Sequence, residues 1–312
     1  MRKRSRRYVF SRSQVAGIRL MREMRAWNDV CSSPYMDSIK CGLLPGESPS
    51  VVRRLNEPLR AYLERRLRVP VELVIGRNYV ATGEALRRGA LDFAYLGPVT
   101  YILQSRAAPL EAFARPTHGG GVGPTFKAAV IVPRESRART LADLAGGEIA
   151  LGDLASTSGS WVPRHMLLSA GLTQDKDYTR RHMGAHDAVI EAVARCQVAA
   201  GGVSLTVFRR LLAEGFPAAS MVRILAESLP IPEYMWTFRA GLSAALRDDV
   251  RAAFHSLAKP EPLAAFAATA FIPAVDPDVD RVRHWMEDLL EARLFPGCAP
   301  VASQPEPVRA FA

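Results

Sequence analysis

Three hydroxyl side chains in succession, Ser156, Thr157 and Ser158, stand beside Gly159 in the stretch GDLASTSGSW, where a strand pattern gives way to a helical one. A helix N-terminus carries unpaired N–H groups and roughly half a positive charge, so it suits an anion. Hydroxyls add donors there without adding formal charge, and a glycine lets backbone approach closely. One serine or threonine is what a helix N-cap requires; three exceed that need and predict a cradle for an oxyanion. Two further donors fit the same chemistry. His186, in GAHDAVIEAV, opens the next helical stretch, and a bound anion would raise its pKa. Tyr79, in GRNYVATGEAL, stands just ahead of a helix in the preceding block, placed to close over a ligand from the opposite side.

These residues need a scaffold, and the chain supplies a regular one. SIKCGLL (Ser38 to Leu44), PVELVIG and LDFAYLG read as strands. Between them lie two helical stretches: PSVVRRLNEPLRAYLERRL, with Val52, Leu55, Leu59, Leu63 and Leu67 on one face, and ATGEALRRG, closed by Gly89. A second block runs through the strand patterns FKAAVIV, EIALGD, VAAGGV and MVRILAES, with helices at TSGSWVPRHMLLSAG, HDAVIEAVARC and SLTVFRRLLAEG. Such alternation favours a parallel α/β sheet covered by helices, and two blocks predict two lobes with a cleft between them. Open α/β sheets bind ligands beyond the carboxyl ends of their strands, and EIALGD followed by LASTSGSW puts the hydroxyls there.

The stretches LDFAYLGPVTYIL, IALGDLASTSGSWVPRHML, GAHDAVIEAVARCQVAAG and ILAESLPIPEYMW closely resemble the phosphonate, phosphite and phosphate binding proteins of ABC transporters, PhnD-like members of the type II periplasmic-binding-protein class. The resemblance covers Ser38 to Leu257. It implies a two-lobed α/β fold with the ligand held between lobes, expected at 37–128 with 232–296 and at 129–231. It further implies that Ser156, Thr157, Ser158 and His186 hold the oxyanion together with Tyr79, that Tyr95 fills the aromatic position beside LGP, and that Tyr101 lines the same wall. The implied partners are a phosphonate-type oxyanion and ABC permease subunits, and the implied location is the periplasm. Where aminoalkylphosphonate-binding members carry acids for the ligand's ammonium, this chain has Thr206 and Tyr234. An uncharged or absent substituent is therefore expected, unless Glu233 turns inward.

Other classes fit less well. The 312 residues carry a net charge of +10, but residues 1–36 hold nine basic side chains against two acids, which leaves the body near neutral and without a nucleic-acid footprint. That arm, expected to be disordered, contains SRRYVF, loosely like a twin-arginine motif, yet the apolar run an export signal needs is broken by Arg12, Arg19, Arg22 and Arg25. A cytoplasmic location, with the chain acting as an anion sensor, is thus the alternative. No apolar run approaches the roughly 20 residues of a membrane span. Cys31, Cys41, Cys196 and Cys298 are scattered, without histidines at metal-ligand spacing, so neither metal nor cofactor is expected. A hydrolase built from Ser156 or Ser158, His186 and Asp187 lacks the GxSxG elbow, and Asp187, adjacent in sequence, cannot easily orient the His186 ring. The THGGGVGP stretch lacks the Lys-Ser/Thr ending of a phosphate loop and reads as a flexible connection. A Pro-rich tail follows from Gly297.

Overall fold

The computed structural model describes residues 38–294; the basic arm, Cys31, Cys298 and the Pro-rich tail lie outside the described residues. The strands are β1 (Ile39–Leu43), β2 (Val71–Ile75), β3 (Phe93–Leu96), β4 (Glu111–Thr117), β5 (Thr125–Phe126), β6 (Ala128–Pro133), β7 (Glu148–Gly152), β8 (Thr179–Gly184), β9 (Ala200–Ser204), β10 (Val222–Glu227), β11 (Ile231–Pro232), β12 (Met235–Phe238) and β13 (Ala270–Ile272). They form a six-stranded sheet in the order β13-β4-β12-β3-β1-β2 and a five-stranded sheet in the order β10-β6-β9-β7-β8. The chain passes between the sheets twice, through β5 and β11, which pair with each other as a two-stranded antiparallel ribbon. No helix of the described residues is long and apolar enough to cross a membrane.

Neither large sheet is all parallel, which corrects the expectation from the alternating pattern. Strands joined by crossover helices do run parallel: β1 with β2 and β3, and β7 with β8 and β9. The strands that arrive directly from the other sheet enter reversed, β12 against β3 and β4, and β6 against β9. A direct entry has no crossover helix to bring the chain back to the same end of the sheet.

The helix Pro49–Leu67 begins and ends where its pattern predicts, with Pro at its first position and Arg68 in the left-handed region at its end. Val52, Leu59 and Leu63 are buried against the sheet, while Leu55 and Leu67 stay partly exposed. Behind β3 and β12 an aromatic core fixes the register of the larger sheet. Phe113 and Phe238 stack at 3.9 Å between centroids, and Phe93 meets Phe113, Trp236, Phe238 and Phe254 edge-on. Trp236 belongs to this core, fully buried, and supports Tyr95 from behind at 4.9 Å.

After β7 the chain does not enter an α-helix at once. Thr157–Trp161 is a π-helical turn, and the α-helix runs from Val162 to Ser169. The Trp161 and Val162 amides donate to the carbonyls of Ser156 and Thr157, five residues back. Pro163 explains the departure from the expected helix: without an N–H it cannot donate to Gly159, so the ordinary ladder is interrupted there.

Candidate functional site

Ser156 caps the turn, its Oγ accepting from the Gly159 amide at 3.1 Å. Thr157 Oγ1 accepts from the Val99 amide at 3.0 Å, a bond that spans from the second sheet's turn to the helix Pro98–Ser105 of the first. Ser158 and Ser160 are wholly buried, and neither hydroxyl has a hydrogen-bond partner of ordinary geometry. Gly159 is required by contact: a Cβ there would sit 2.8 Å from Ser156 Oγ and 3.0 Å from His186 Cε1. Gly159 has to be bare for the cap and the imidazole to approach each other.

His186 is the first residue of the helix His186–Ala194 and is 4% exposed. Its Nδ1 accepts from the Ser204 amide at 3.4 Å, which leaves Nε2 to carry the proton. Burial pushes its pKa down to about 4, so the ring is neutral at pH 7. Asp187 does not orient this ring; its Oδ1 accepts from the Ala188 amide at 2.9 Å.

From the first sheet, Tyr79 is the first residue of the helix Tyr79–Arg87, whose cap is Asn78. Its phenol interacts with the hydroxyls of Ser156 and Tyr234, and Tyr234 in turn with Ser158. Burial raises the pKa of Tyr79 well above the ordinary phenol value and that of Tyr234 to about 12, so both remain proton donors. Tyr79, Tyr95, His186 and Tyr234 line one cavity of about 180 Å³, with Leu44 and Phe126 among its other walls. The three consecutive hydroxyls lie immediately behind its tyrosines rather than on its surface. Tyr101 does not join them: it is buried in the core, with its hydroxyl engaged by Asp276.

Several residues of the site were not singled out by sequence reasoning. Asp153 ties the two sides together, Oδ2 accepting from the Tyr79 amide at 3.1 Å and Oδ1 from the Ala155 amide at 2.8 Å. A carboxylate at the N-terminus of the Tyr79 helix is also favourably placed with respect to its dipole. The His186 amide donates to Gly46 O at 3.1 Å, and Glu47 forms an ion pair with Arg210 of the helix Leu205–Ala213. His118, in the glycine-rich stretch, bonds Glu233 through Nε2 at 2.8 Å. Glu233 is turned inward, lines the cavity and is 7% exposed. Position after a strand end could have flagged Asp153; nothing local marks Glu47 or His118. No lysine or arginine is among the described residues that line this cavity, and no group of three or more His, Cys, Asp or Glu among them could hold a metal ion.

The family model for the periplasmic substrate-binding protein of phosphonate ABC transporters matches residues 41–279. The chain belongs to that family. Among curated relatives it is similar to the phosphate-import protein PhnD of Mycolicibacterium smegmatis, 25% identical over 54% of this chain and 55% of that one. It is also similar to the phosphonates-binding periplasmic protein of Escherichia coli, 23% identical over 76% of this chain and 71% of that one. The match thus spans little more than half the length of the first of these relatives. Among solved structures, the binding component of an ABC phosphonate transporter from Pseudomonas aeruginosa superposes with a TM-score of 0.78, at 20% identity, over 86% of this chain and 91% of that one. The PhnD1 protein of Prochlorococcus marinus in complex with methylphosphonate gives 0.75, at 20% identity, over 82% of this chain and 99% of that one. The fold is therefore the two-lobed α/β fold of type II periplasmic binding proteins.

Proposed function

We propose that this protein captures a small tetrahedral oxyanion, a phosphonate, phosphite or phosphate, in the periplasm and delivers it to an ABC permease. In this proposal the lobes have the bounds expected from the sequence, 37–128 with 232–296 and 129–231, of which residues 38–294 are described, and the ligand lies where they meet. One observation carries the reading. The acceptor sides of Ser156 and His186, and a lone pair of Thr157, are engaged by the backbone amides of Gly159, Ser204 and Val99, so their remaining hydrogens serve as donors. Ser158 contributes a buried hydroxyl without an ordinary partner, and Tyr79 and Tyr234 contribute phenols held protonated by burial. Tyr95 supplies an aromatic wall, and Tyr101 has no place in the set.

Preorganised neutral donors recognise an anion without the desolvation cost of a buried cation. Because the donors come from both lobes, the ligand favours the closed arrangement by satisfying all of them at once. Binding rather than catalysis is supported by Asp187, which is spent on its own helix and leaves His186 without a carboxylate to orient it. Titration calorimetry with methylphosphonate, phosphite, phosphate and sulfate tests the proposal. Saturable 1:1 binding of a phosphorus oxyanion is expected; heat from none of the first three would refute it.

A further inference from the structure

A carboxylate stands in the wall of a cavity whose donors are set for an anion. Glu47 lies between β1 and the helix Pro49–Leu67, lines the cavity and is 9% exposed. The residue before it touches two of the oxyanion donors. Gly46 O accepts from the His186 amide at 3.1 Å, and a Cβ on Gly46 would sit 3.0 Å from the Tyr79 hydroxyl. A bare carboxylate this close repels an oxyanion, and in a partly desolvated cleft that repulsion is poorly screened.

Arg210 answers the charge from outside the cavity. It stands on the helix Leu205–Ala213, which follows β9, so its ion pair with Glu47 joins an element of the five-stranded sheet to one of the six-stranded sheet. Arg210 lines not the cavity but the adjoining hollow of about 950 Å³, and Glu47 lines both. Among the described residues no other cation is placed to replace it. Lys127 and Arg209 line the same hollow, but Glu227 holds both, at 3.0 and 3.2 Å. The other charges that act on Glu47, Asp187 and Glu214, are negative, and Glu214 also draws on Arg210, at 2.7 Å. Resting on the oxyanion reading above, we infer that Arg210 is a positioning residue for anion capture: without touching the ligand, it neutralises Glu47 across the cleft, so that the closed arrangement can hold an anionic cargo.

The test is calorimetric titration of methylphosphonate into the full chain and into Arg210→Met, Glu47→Gln, the two combined, and Arg210→Lys. Arg210→Met keeps the bulk of the stem but strands a buried carboxylate, and should bind about tenfold or more weaker. Glu47→Gln removes the repelling charge and leaves Arg210 its partner Glu214, so affinity should stay within about threefold of the parent. The double variant should likewise return to within about threefold, because the stranded charge is gone; a merely structural arginine would leave it no tighter than Arg210→Met. Arg210→Lys should recover most of the affinity, and Arg210→Gln, a second neutral variant, carries the same expectation as Arg210→Met should that one fail to fold. Three results would each overturn this inference: near-parent affinity in the neutral Arg210 variants, a double variant without recovery, or a loss in Glu47→Gln as large as in Arg210→Met, which would make the pair a simple clasp. In all three the parent still binds methylphosphonate and the oxyanion reading stands. A parent that binds neither methylphosphonate, phosphite nor phosphate would overturn that reading and this inference with it.

Discussion

Thr157→Ala tests whether the buried hydroxyl that bridges the two lobes contributes to binding. In the parent, Thr157 Oγ1 accepts the Val99 amide across the two sides of the cleft, and the side chain is completely buried. Removing the hydroxyl leaves a buried N–H without a partner, which costs about 1–3 kcal/mol. Because that bond joins the two lobes, the cost falls on the closed arrangement. On the proposed function the ligand also loses a donor, and a hydrogen bond to a charged group contributes about 1.5–3 kcal/mol. Either loss alone reaches roughly tenfold in affinity, since 1.4 kcal/mol is a factor of ten. Calorimetric titration of methylphosphonate into Thr157→Ala should thus show at least a tenfold weaker dissociation constant. Thr157→Ser, which keeps the hydroxyl, should recover most of it. Urea unfolding of both variants without ligand controls for general damage. Affinity within twofold of the parent in Thr157→Ala would refute the assignment, because it would mean that neither the interlobe bond nor the donated hydrogen contributes to binding.

Burial holds the pKa of His186 near 4, below the ordinary value of 6.5, so the stability contributed by the neutral ring is present above pH 6.5 and lost as pH falls toward 4. The loss amounts to about 3 kcal/mol at most, and His186→Gln should show a shallower decline of urea stability between pH 6.5 and 4. The hydrogen bond to Glu233 acts in the opposite sense on His118, raising its pKa. Its contribution is full below pH 6.5 and is lost as pH rises through the raised value, so the melting temperature of His118→Gln should vary less than the parent's between pH 6.5 and 8.5. Gly159→Ala should destabilise the protein by about 1–3 kcal/mol and weaken oxyanion binding, as the new methyl displaces Ser156 or His186; an unperturbed melting temperature would contradict the close contact.

What could be read in the chain followed from local chemistry. The helix Pro49–Leu67 announces itself by spacing and by its first proline, and the hydroxyl cluster by exceeding what a cap needs. Even so, the turn it occupies is π-helical rather than α-helical, a consequence of Pro163 four positions beyond Gly159. The helix Pro98–Ser105 is not among the expected helices because PVTYILQS is only two turns long, follows a strand directly and is buried on nearly every side; the place of Tyr101 on the cleft wall came from the family resemblance alone, and in the fold its ring turns into the core. Strand β4 carries Pro116, and β13 is three residues long at a sheet edge, so neither offers a strong alternation. The partners that complete the site lie far apart in the chain, 115 residues between His118 and Glu233 and 163 between Glu47 and Arg210, where no local pattern can pair them.

The ribbon of β5 and β11 has a bearing on how the two sheets can move against each other. Both chain crossings run through one hydrogen-bonded pair, Phe126 opposite Ile231 and Thr125 opposite Pro232. The two crossings therefore bend together, about a shared axis, instead of as two independent tethers. Phe126 belongs at once to this ribbon and to the wall of the ligand cavity. Under the proposed function, a ligand pressed against Phe126 is pressed against the pivot, so its size would bear on the angle between the two halves.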